Sequence, residues 1–352
     1  MGTRTDQLAR TVGLVLGGGA GMLGFATTPV HAEPPSSIHG TVAMAADNPG
    51  KHGMHWRTQL WASQEAVDRA MLRVCAGNEA HPAAASECQQ FPVAKGKVLT
   101  PENVLSGFPL TPPAALYFSW DGIPAEQGVV FTRTYTVAPN GQPGTLGQEA
   151  HGQLLTTLPA AGVSQVVPLA LDALTFRSNV SIANLGSANT VTVRVRNTQG
   201  VVVGEKAYTL PAFGWRQLND VFLELGIATY SYSFAEPFGT APFAAYASIA
   251  DNTSGDPTTM PAKWAYDAQR GLFIPVAARL PGYTGTQWRT DAVAINWQGA
   301  EKEILFSSRC RTGTTTGTQT HGCWSSTRTR RSSHGRTSSA RSTASTIPKE
   351  VS

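Results

Sequence analysis

The sequence predicts an all-β protein made of tandem antiparallel β-sandwich modules, with at most a short helix in each module and a disordered C-terminal tail. From residue 36 to 306, short runs of alternating polar and apolar residues dominate, and turn-forming residues separate them roughly every eight to twelve positions. The long crossover helices that a parallel sheet needs are missing from this pattern. A short motif also recurs at a spacing close to the length of one modest β-domain.

That motif is an aromatic residue followed by an arginine and a small hydroxyl residue, at the start of an alternating run. Its copies are Trp56-Arg57-Thr58, Phe176-Arg177-Ser178 and Trp288-Arg289-Thr290. From the first aromatic to the second is 120 positions, and from the second to the third is 112. We interpret the motif as a structural element of a repeated module, with the ring buried at the sandwich end and the arginine stem over it. A ligand site is the alternative, because Trp and Arg together stack on sugars or pair with carboxylates.

The chain divides at the turn-rich segments. The predicted parts are a signal peptide at 1–32, a first module at 36–148, a second at 154–262, an incomplete third at 272–306 and a tail at 307–352. Segments 140–152 and 261–271 are rich in Gly, Pro and polar residues and are predicted to be linkers. In the second module, residues 191–203 have the pattern of a hairpin, and apolar residues at helical spacing in 217–225 predict its short helix.

The segment 1–32 has the features of an export signal. Arg4 and Arg10 precede an uncharged stretch, and Val30-His31-Ala32 is a small-x-small cleavage pattern. A retained anchor is the alternative, although the stretch is rich in Gly and a span needs roughly 20 predominantly apolar residues. We expect a secreted, periplasmic or cell-surface protein with no transmembrane segment after cleavage.

Cys75 and Cys88 are predicted to form a disulfide in the first module. An exported protein reaches a compartment that permits oxidation, and the loop between them contains turn-forming residues. Such a bridge would stabilise the fold by about 3 kcal/mol on the loop-entropy model. Cys310 and Cys323 lie in the tail and are assigned no role. Zinc is not expected, because neither pair has the close spacing of zinc ligands.

The net charge of +4 comes from the ends of the chain. Residues 307–352 contribute +7 and residues 1–32 contribute +1, which leaves −4 for the rest. A folded region with a net negative charge does not provide the basic surface that nucleic acid needs, so nucleic-acid binding is not expected. The tail holds 22 Ser or Thr among 46 positions and almost no large apolar residues, so disorder is expected. The composition changes abruptly near residue 307, which suggests that a frameshift product replaced the end of the third module. A native basic tail is the alternative.

Several segments resemble secreted bacterial proteins, themselves uncharacterised, that carry immunoglobulin-like β-sandwich modules in tandem. The segments are 131–135 followed by 144–148, 176–180, 246–252, and 273–278 through 288–291. The resemblance covers most of residues 36–306, and the tail departs from it. It implies export and repeated sandwiches, sometimes beside peptidase domains. It brings no catalytic residues with it.

No catalytic, cofactor-binding or metal-ligating residue is predicted, and the protein is not expected to be an enzyme. The segment 162–166 has only the first half of a hydrolase nucleophile elbow. A glycosidase pair would require convergence of scattered carboxylates, which are Glu224, Glu236, Asp251 and Asp267. Oxygen ligands in the loop from Asp251 to Asp256 could hold calcium, but a turn with satisfied side chains is favoured.

Aromatic residues in or beside loops give the best support for binding. They are Tyr230, Tyr232, Trp264, Tyr266 and Tyr283. Clustered at one edge, they would suit carbohydrate or peptide recognition, and core packing is the alternative. We therefore expect a non-catalytic adhesion or interaction scaffold with an unknown protein or glycan partner at the cell envelope. The alternatives are a carbohydrate-binding or peptidase-associated accessory module and a hydrolase with an unrecognised site.

Overall fold

Antiparallel strands form almost all of the ordered structure, as predicted. A computed structural model describes residues 37–138, 144–169, 174–228 and 233–264, with short segments at 279–281, 287–290, 293–295, 304–305, 328–329 and 338–339. Among the described residues, the helical elements are one α-helix, α1 (Val221–Glu224), and short 3-10 helices at Lys51–Gly53, Ala85–Glu87, Val104–Gly107, Ala125–Gln127 and Leu155–Thr157. The all-β fold class is confirmed.

The first half of the described chain forms a two-sheet sandwich. Its strands are β1 (Gly40–Ala45), β2 (Asp47–Pro49), β3 (His55–Gln64), β4 (Arg69–Gly77), β5 (Gln89–Ala94), β6 (Val98–Leu99), β7 (Ala114–Asp121), β8 (Gly128–Val137), β9 (Thr145–His151) and β10 (Gln153–Leu154). One sheet, S1, has the order β2-β3-β8-β9, with β6 also paired to β3. The other sheet, S2, has the order β10-β1-β7-β4-β5.

The second half forms another sandwich. Its strands are β11 (Gln165–Pro168), β12 (Phe176–Asn184), β13 (Asn189–Asn197), β14 (Val202–Leu210), β15 (Trp215–Leu218), β16 (Ser233–Gly239), β17 (Phe243–Asp251), β18 (Pro257–Pro261) and β19 (Lys263–Trp264). Sheet S3 has the order β15-β12-β17-β18, and sheet S4 has the order β14-β13-β16-β11-β19.

The two sandwiches have the same strand order. S2 and S4 match strand for strand, as do S3 and the β6-β3-β8-β9 part of S1. The registers agree too: Trp61 pairs with Phe131 and Phe131 with His151, while Ser181 pairs with Tyr246 and Tyr246 with Pro261. Residues 57–63 of β3 and 129–135 of β8 therefore have counterparts on β12 and β17 of S3.

Each sandwich has its own apolar core because alternate residues of its strands point between its two sheets. Leu60 of S1 and Leu72, Leu116 and Trp120 of S2 are among the fully buried side chains of the first core. The second core holds Ile182 and Val193, together with Phe222 from the α1 helix.

A third apolar cluster joins the sandwiches. It lies where the face of S2 that points away from the first core packs against the face of S3 that points away from the second core. We call this contact the seam. Its buried members are Ala43, Met44, Cys75, Ala83, Ala115, Tyr117, Ala183, Leu185, Trp215, Ala244 and Tyr246. Alanines at the strand positions let the sheets approach, and three large aromatic residues fill the remaining space. Burial raises the pKa of Tyr117 and Tyr246 well above the usual value for a phenol, so both stay neutral.

Hydrogen bonds fix the geometry of the seam. The Trp215 indole N–H donates to the Ala43 carbonyl at 2.5 Å, and the Tyr117 hydroxyl donates to the Gly214 carbonyl at 2.9 Å. At the rim, Arg216 makes an ion pair with Glu79 at 2.8 Å. The two sandwiches are thus joined by a packed interface.

The described residues of the segments predicted as linkers form strands, so the expectation of linkers was wrong for residues 145–152 and 261–264. β9 occupies 145–151 of the first segment, so the predicted module end at Gln148 lies inside a strand, and β10 pairs with β1. The second segment contains the end of β18 and all of β19. The described residues of both segments lie largely in edge strands. Gly147 in β9 lies so close to Tyr135 that an added Cβ would meet the Tyr135 Cβ at 2.9 Å.

The predicted disulfide between Cys75 and Cys88 is confirmed. The predicted signal peptide, Cys310 and Cys323 lie outside the described residues. Of the third module and tail, the described parts are short strands: β20 (Arg279–Pro281), β21 (Gln287–Arg289), β22 (Val293–Ala294), β23 (Ile304–Leu305), β24 (Arg328–Thr329) and β25 (Ser338–Ser339). No helix within the described part of the chain has the length and apolar character to cross a membrane.

Candidate functional site

The repeated motif occupies equivalent positions in the two sandwiches, at the start of β3 and of β12. Thr58 and Ser178 are fully buried, and the Thr58 hydroxyl lies 2.8 Å from that of Thr134 on β8. Arg57 is exposed on S1, whereas Arg177 is partly buried and donates to the Asn252 side chain at 3.3 Å. The rings of Trp56 and Phe176 are partly buried.

In the third copy, the backbone of Trp288 and Arg289 lies in β21, which pairs with β20 just before it. Thr290 is partly buried. Most of the module that would surround this copy lies outside the described residues, so a third sandwich stays a prediction.

The loop after β17 is closed by its own side chains. The Asp251 carboxylate accepts hydrogen bonds from the backbone N–H groups of Thr253 and Ser254, at 2.8 and 2.6 Å, and from the Ser254 hydroxyl at 3.0 Å. Burial opposes ionisation, but these bonds, with Arg177 nearby, hold the pKa of Asp251 below its usual value. Burial raises the pKa of Asp256. The loop has the geometry of a satisfied turn.

Replacing Asp251 with alanine is expected to lower the melting temperature by about 2–4 °C at neutral pH, because the turn loses about 1 kcal/mol of hydrogen bonding. The folded pKa lies below the unfolded value of about 3.9, so this stabilisation is complete above pH 4 and disappears as the pH falls through the folded pKa. Melting curves at pH 7 and pH 2.5 test this. Asp251→Asn keeps the acceptor, and it should lose less stability at pH 7.

Of the loop aromatics predicted for binding, Tyr230, Tyr232, Tyr266 and Tyr283 lie outside the described residues. Trp264 lies in β19 at the edge of S4, where it pairs with Gln165 and is partly buried. The described residues therefore show no cluster of these five.

A different set of aromatic side chains comes together on the outer face of S1. We call it the S1 face; it comprises Arg57, Gln59, Trp61, Phe131, Arg133, Tyr135, Glu149 and His151. These residues occupy alternate positions of three neighbouring strands, opposite to the side that faces the core. All eight are partly or fully exposed.

The rings form a row across the strands. Trp61 stacks on Phe131 with 5.2 Å between ring centroids and 16° between planes, and His151 continues the row 6.0 Å from Phe131. Beside this row, the Arg133 guanidinium lies 5.3 Å from the centre of the Tyr135 ring. Apolar rings and cationic groups thus alternate over one surface.

An open depression of about 400 Å³ adjoins the S1 face at its Arg57 end. Its lining includes His52, His55, Arg57 and Tyr135. His55 lies 2.9 Å from Asp47. A hydrogen bond from Asn103, and then His55 and Arg57, hold the pKa of Asp47 below its usual value. The wall of the depression therefore combines arginine and histidine side chains, and one of these histidines, His55, contacts the Asp47 carboxylate.

The counterpart of the S1 face on S3 is part of the seam. There, Ser181, Ala183 and Ala244 are fully buried and Tyr246 is 4% exposed. At the equivalent positions S1 has Trp61, Ser63, Val129 and Phe131, and Val129 is 52% exposed. Thus the same face is small and buried in one sandwich, and large, aromatic and exposed in the other.

S4, the other outermost sheet, has an outer face of different chemistry. Arg194 pairs with Glu205 at 2.5 Å, and Arg196 pairs with Glu236 at 2.6 Å. In each pair, an arginine of β13 is neutralised by a glutamate of a neighbouring strand. S4 is therefore a self-paired charged face, unlike the S1 face.

Sequence reasoning missed the S1 face, although one pattern indicated it. In β8, Phe131, Arg133 and Tyr135 alternate with Thr132 and Thr134. Such alternation usually places aromatics in the core, but here the threonines are buried and the large side chains face outward. The register that brings Trp61 and His151 beside Phe131 joins positions 70 and 20 residues apart, which a single sequence does not specify.

No family model matches the chain, and no curated protein matches it at a significant level. Among solved structures, the chain has a weak similarity to the crystal structure of the lectin from Pleurotus ostreatus in complex with GalNAc. The sequence identity is 12%, the match covers 66% of this chain and 85% of the lectin chain, and the TM-score is 0.10.

Proposed function

We propose that this protein is an exported, non-catalytic scaffold of repeated β-sandwich modules that binds a partner at the cell envelope through the S1 face. The observation that carries the proposal is the solvent-accessible row of Trp61, Phe131 and His151, of which the first two are partly exposed, on a sheet whose counterpart in the second sandwich is a buried contact face. Exposed aromatic clusters of this kind mark recognition surfaces.

Export is supported by the disulfide, because such bridges persist in oxidising compartments. Repetition of one module is supported by the matching strand orders and by the two motif copies on equivalent strands. The packed seam adds a mechanical argument: two sandwiches fixed to each other hold a binding surface at a constant position relative to the rest of the chain.

The absence of catalysis is supported by the surroundings of the carboxylates considered for a glycosidase pair. Glu236 pairs with Arg196 and Arg194, Glu224 lies 3.3 Å from Lys206, and Asp251 closes its own turn. Asp267 lies outside the described residues. The three described carboxylates thus serve separate structural contacts.

Binding of the full-length chain to glycan and peptide arrays tests this function. We expect retention by the wild type and at least about tenfold weaker binding for Trp61→Ser, since tryptophan side chains that become covered by a partner are frequent hot spots in recognition. Serine is the residue at the equivalent position of S3, so the change suits the sheet. Trp264→Ser on S4 is the matched control and should bind like the wild type. A chain that retains nothing, or equal loss in both variants, would overturn the proposal.

A further inference from the structure

We infer that the ligand of the S1 face is an acidic glycan chain, bound by its carboxylates at the arginines and by its sugar rings along the aromatic row. This inference rests on the proposed function and specifies its ligand class. It follows from the charge of the face, its length and the way its backbone is paired.

The charge of the face is opposite to that of the body. The chain from residue 33 to 306 carries −4, yet the eight residues of the S1 face carry a formal charge of +1, from Arg57 and Arg133 against Glu149, with histidines counted as neutral in both sums. Of the acids on this surface, Asp47 already contacts His55 and Asn103, and Glu149 lies opposite Arg133. A face of net positive charge on an acidic body favours an anionic ligand, which the face attracts while the rest of the body repels it.

The arginines suit carboxylates in particular. A guanidinium group presents paired donors that match the two oxygens of a carboxylate. The Arg133 guanidinium is held over Tyr135 and donates to the Thr145 hydroxyl at 2.6 Å, so its orientation is set before a ligand arrives. Preorganisation of this kind reduces the entropy lost on binding.

The face is elongated, which favours a chain-like ligand. Arg57 and Trp61 are four positions apart on β3, or about 13 Å at the rise of an antiparallel strand. The depression at His52 and His55 extends the surface further in the same direction. Several units of a polymer would therefore lie between the arginine end and the aromatic row.

A glycan fits this face better than a peptide does. Extended peptides usually bind by adding a strand to a sheet edge, where main-chain groups are unpaired. In the S1 face, β3 and β8, which carry Trp61, Phe131 and both arginines, are internal strands, so recognition at these positions relies on side chains. β9 is the edge strand and carries only Glu149 and His151 of the face. Stacking of sugar rings on aromatic side chains, with hydrogen bonds to arginine and glutamine, needs only side chains.

The test measures binding of the full-length protein to two uronate chains, polygalacturonate and polymannuronate, and to fully methyl-esterified polygalacturonate as the neutral match. Poly-L-glutamate represents an acidic peptide. We expect at least one uronate chain to bind about tenfold or more tightly than the neutral ester, and to weaken severalfold between 50 and 500 mM salt as screening increases.

Arg133→Gln should weaken uronate binding about five- to tenfold and leave binding of the neutral ester unchanged. Arg194→Gln on S4 is the matched control, because it removes the same charge from the opposite outer sheet. Equal binding of ester and acid, equal or tighter binding of poly-L-glutamate, or equal loss in both arginine variants would overturn the inference. If the uronate tests fail but binding of an array ligand still requires Trp61, the proposed function stands and only the ligand class is wrong. If no array ligand requires Trp61, the proposed function and the inferred ligand class both fail.

Discussion

Truncation of Trp215 to alanine is expected to lower the free energy of unfolding by about 3–5 kcal/mol, the usual range for removing a buried aromatic residue. The side chain is 4% exposed and lies in the seam between S2 and S3. Its loss leaves a cavity that neither sheet can close, and the Ala43 carbonyl loses its hydrogen-bond donor. The stabilisation that the seam gives to both sandwiches should therefore fall sharply.

Calorimetry of the full-length chain measures this effect. We expect the two sandwiches to unfold together in the wild type and in two separate transitions in the variant, since each keeps its own core. Trp61→Ala is the control, because it truncates the same side chain on the exposed S1 face and should cost about 1 kcal/mol or less. If Trp215→Ala costs no more than the control, the seam does not couple the sandwiches.

The seam shows why the sequence predicted the sheets but not how the sandwiches pack. Alternation of apolar and polar residues predicted β13 and its hairpin because only one face of that strand is buried. In β7 every residue from Ala114 to Trp120 is buried, since one face meets the first core and the other meets S3. A run buried on both faces does not reveal its second neighbour, and small residues such as Ala115 and Ala244 also occur on ordinary surfaces.

The candidate site was harder to predict for a related reason. Aromatic residues in loops were predicted as the binding residues because loops often carry binding sites. The exposed rings of this protein are inside strands, and Trp61, Phe131 and His151 become neighbours only through strand pairing. Register depends on which face is buried, and here the buried face of β8 is formed largely by Val130 and three threonines rather than by its aromatics. Periodicity alone would assign those aromatics to the core.

Removal of the disulfide by Cys75→Ala/Cys88→Ala is expected to lower stability by about 3 kcal/mol, through the entropy that the unfolded chain regains. For a body of this size that corresponds to a fall of about 6–12 °C in melting temperature. The closed loop also reaches the second sandwich: Ala83 donates its backbone N–H to the Phe213 carbonyl at 3.2 Å, and Glu79 pairs with Arg216. The bridge thus holds in place a loop that forms part of the seam.

Melting curves in a Cys310→Ser/Cys323→Ser background keep the other thiols from exchanging with the bridge. If the loop supports the seam, loss of the bridge and Trp215→Ala remove overlapping interactions. Their combined cost should then be smaller than the sum of the separate costs, with a coupling of about 0.5–3 kcal/mol. Strict additivity would show that the bridge acts only on the unfolded chain, and that the loop from Cys75 to Cys88 contributes nothing to the contact between the sandwiches.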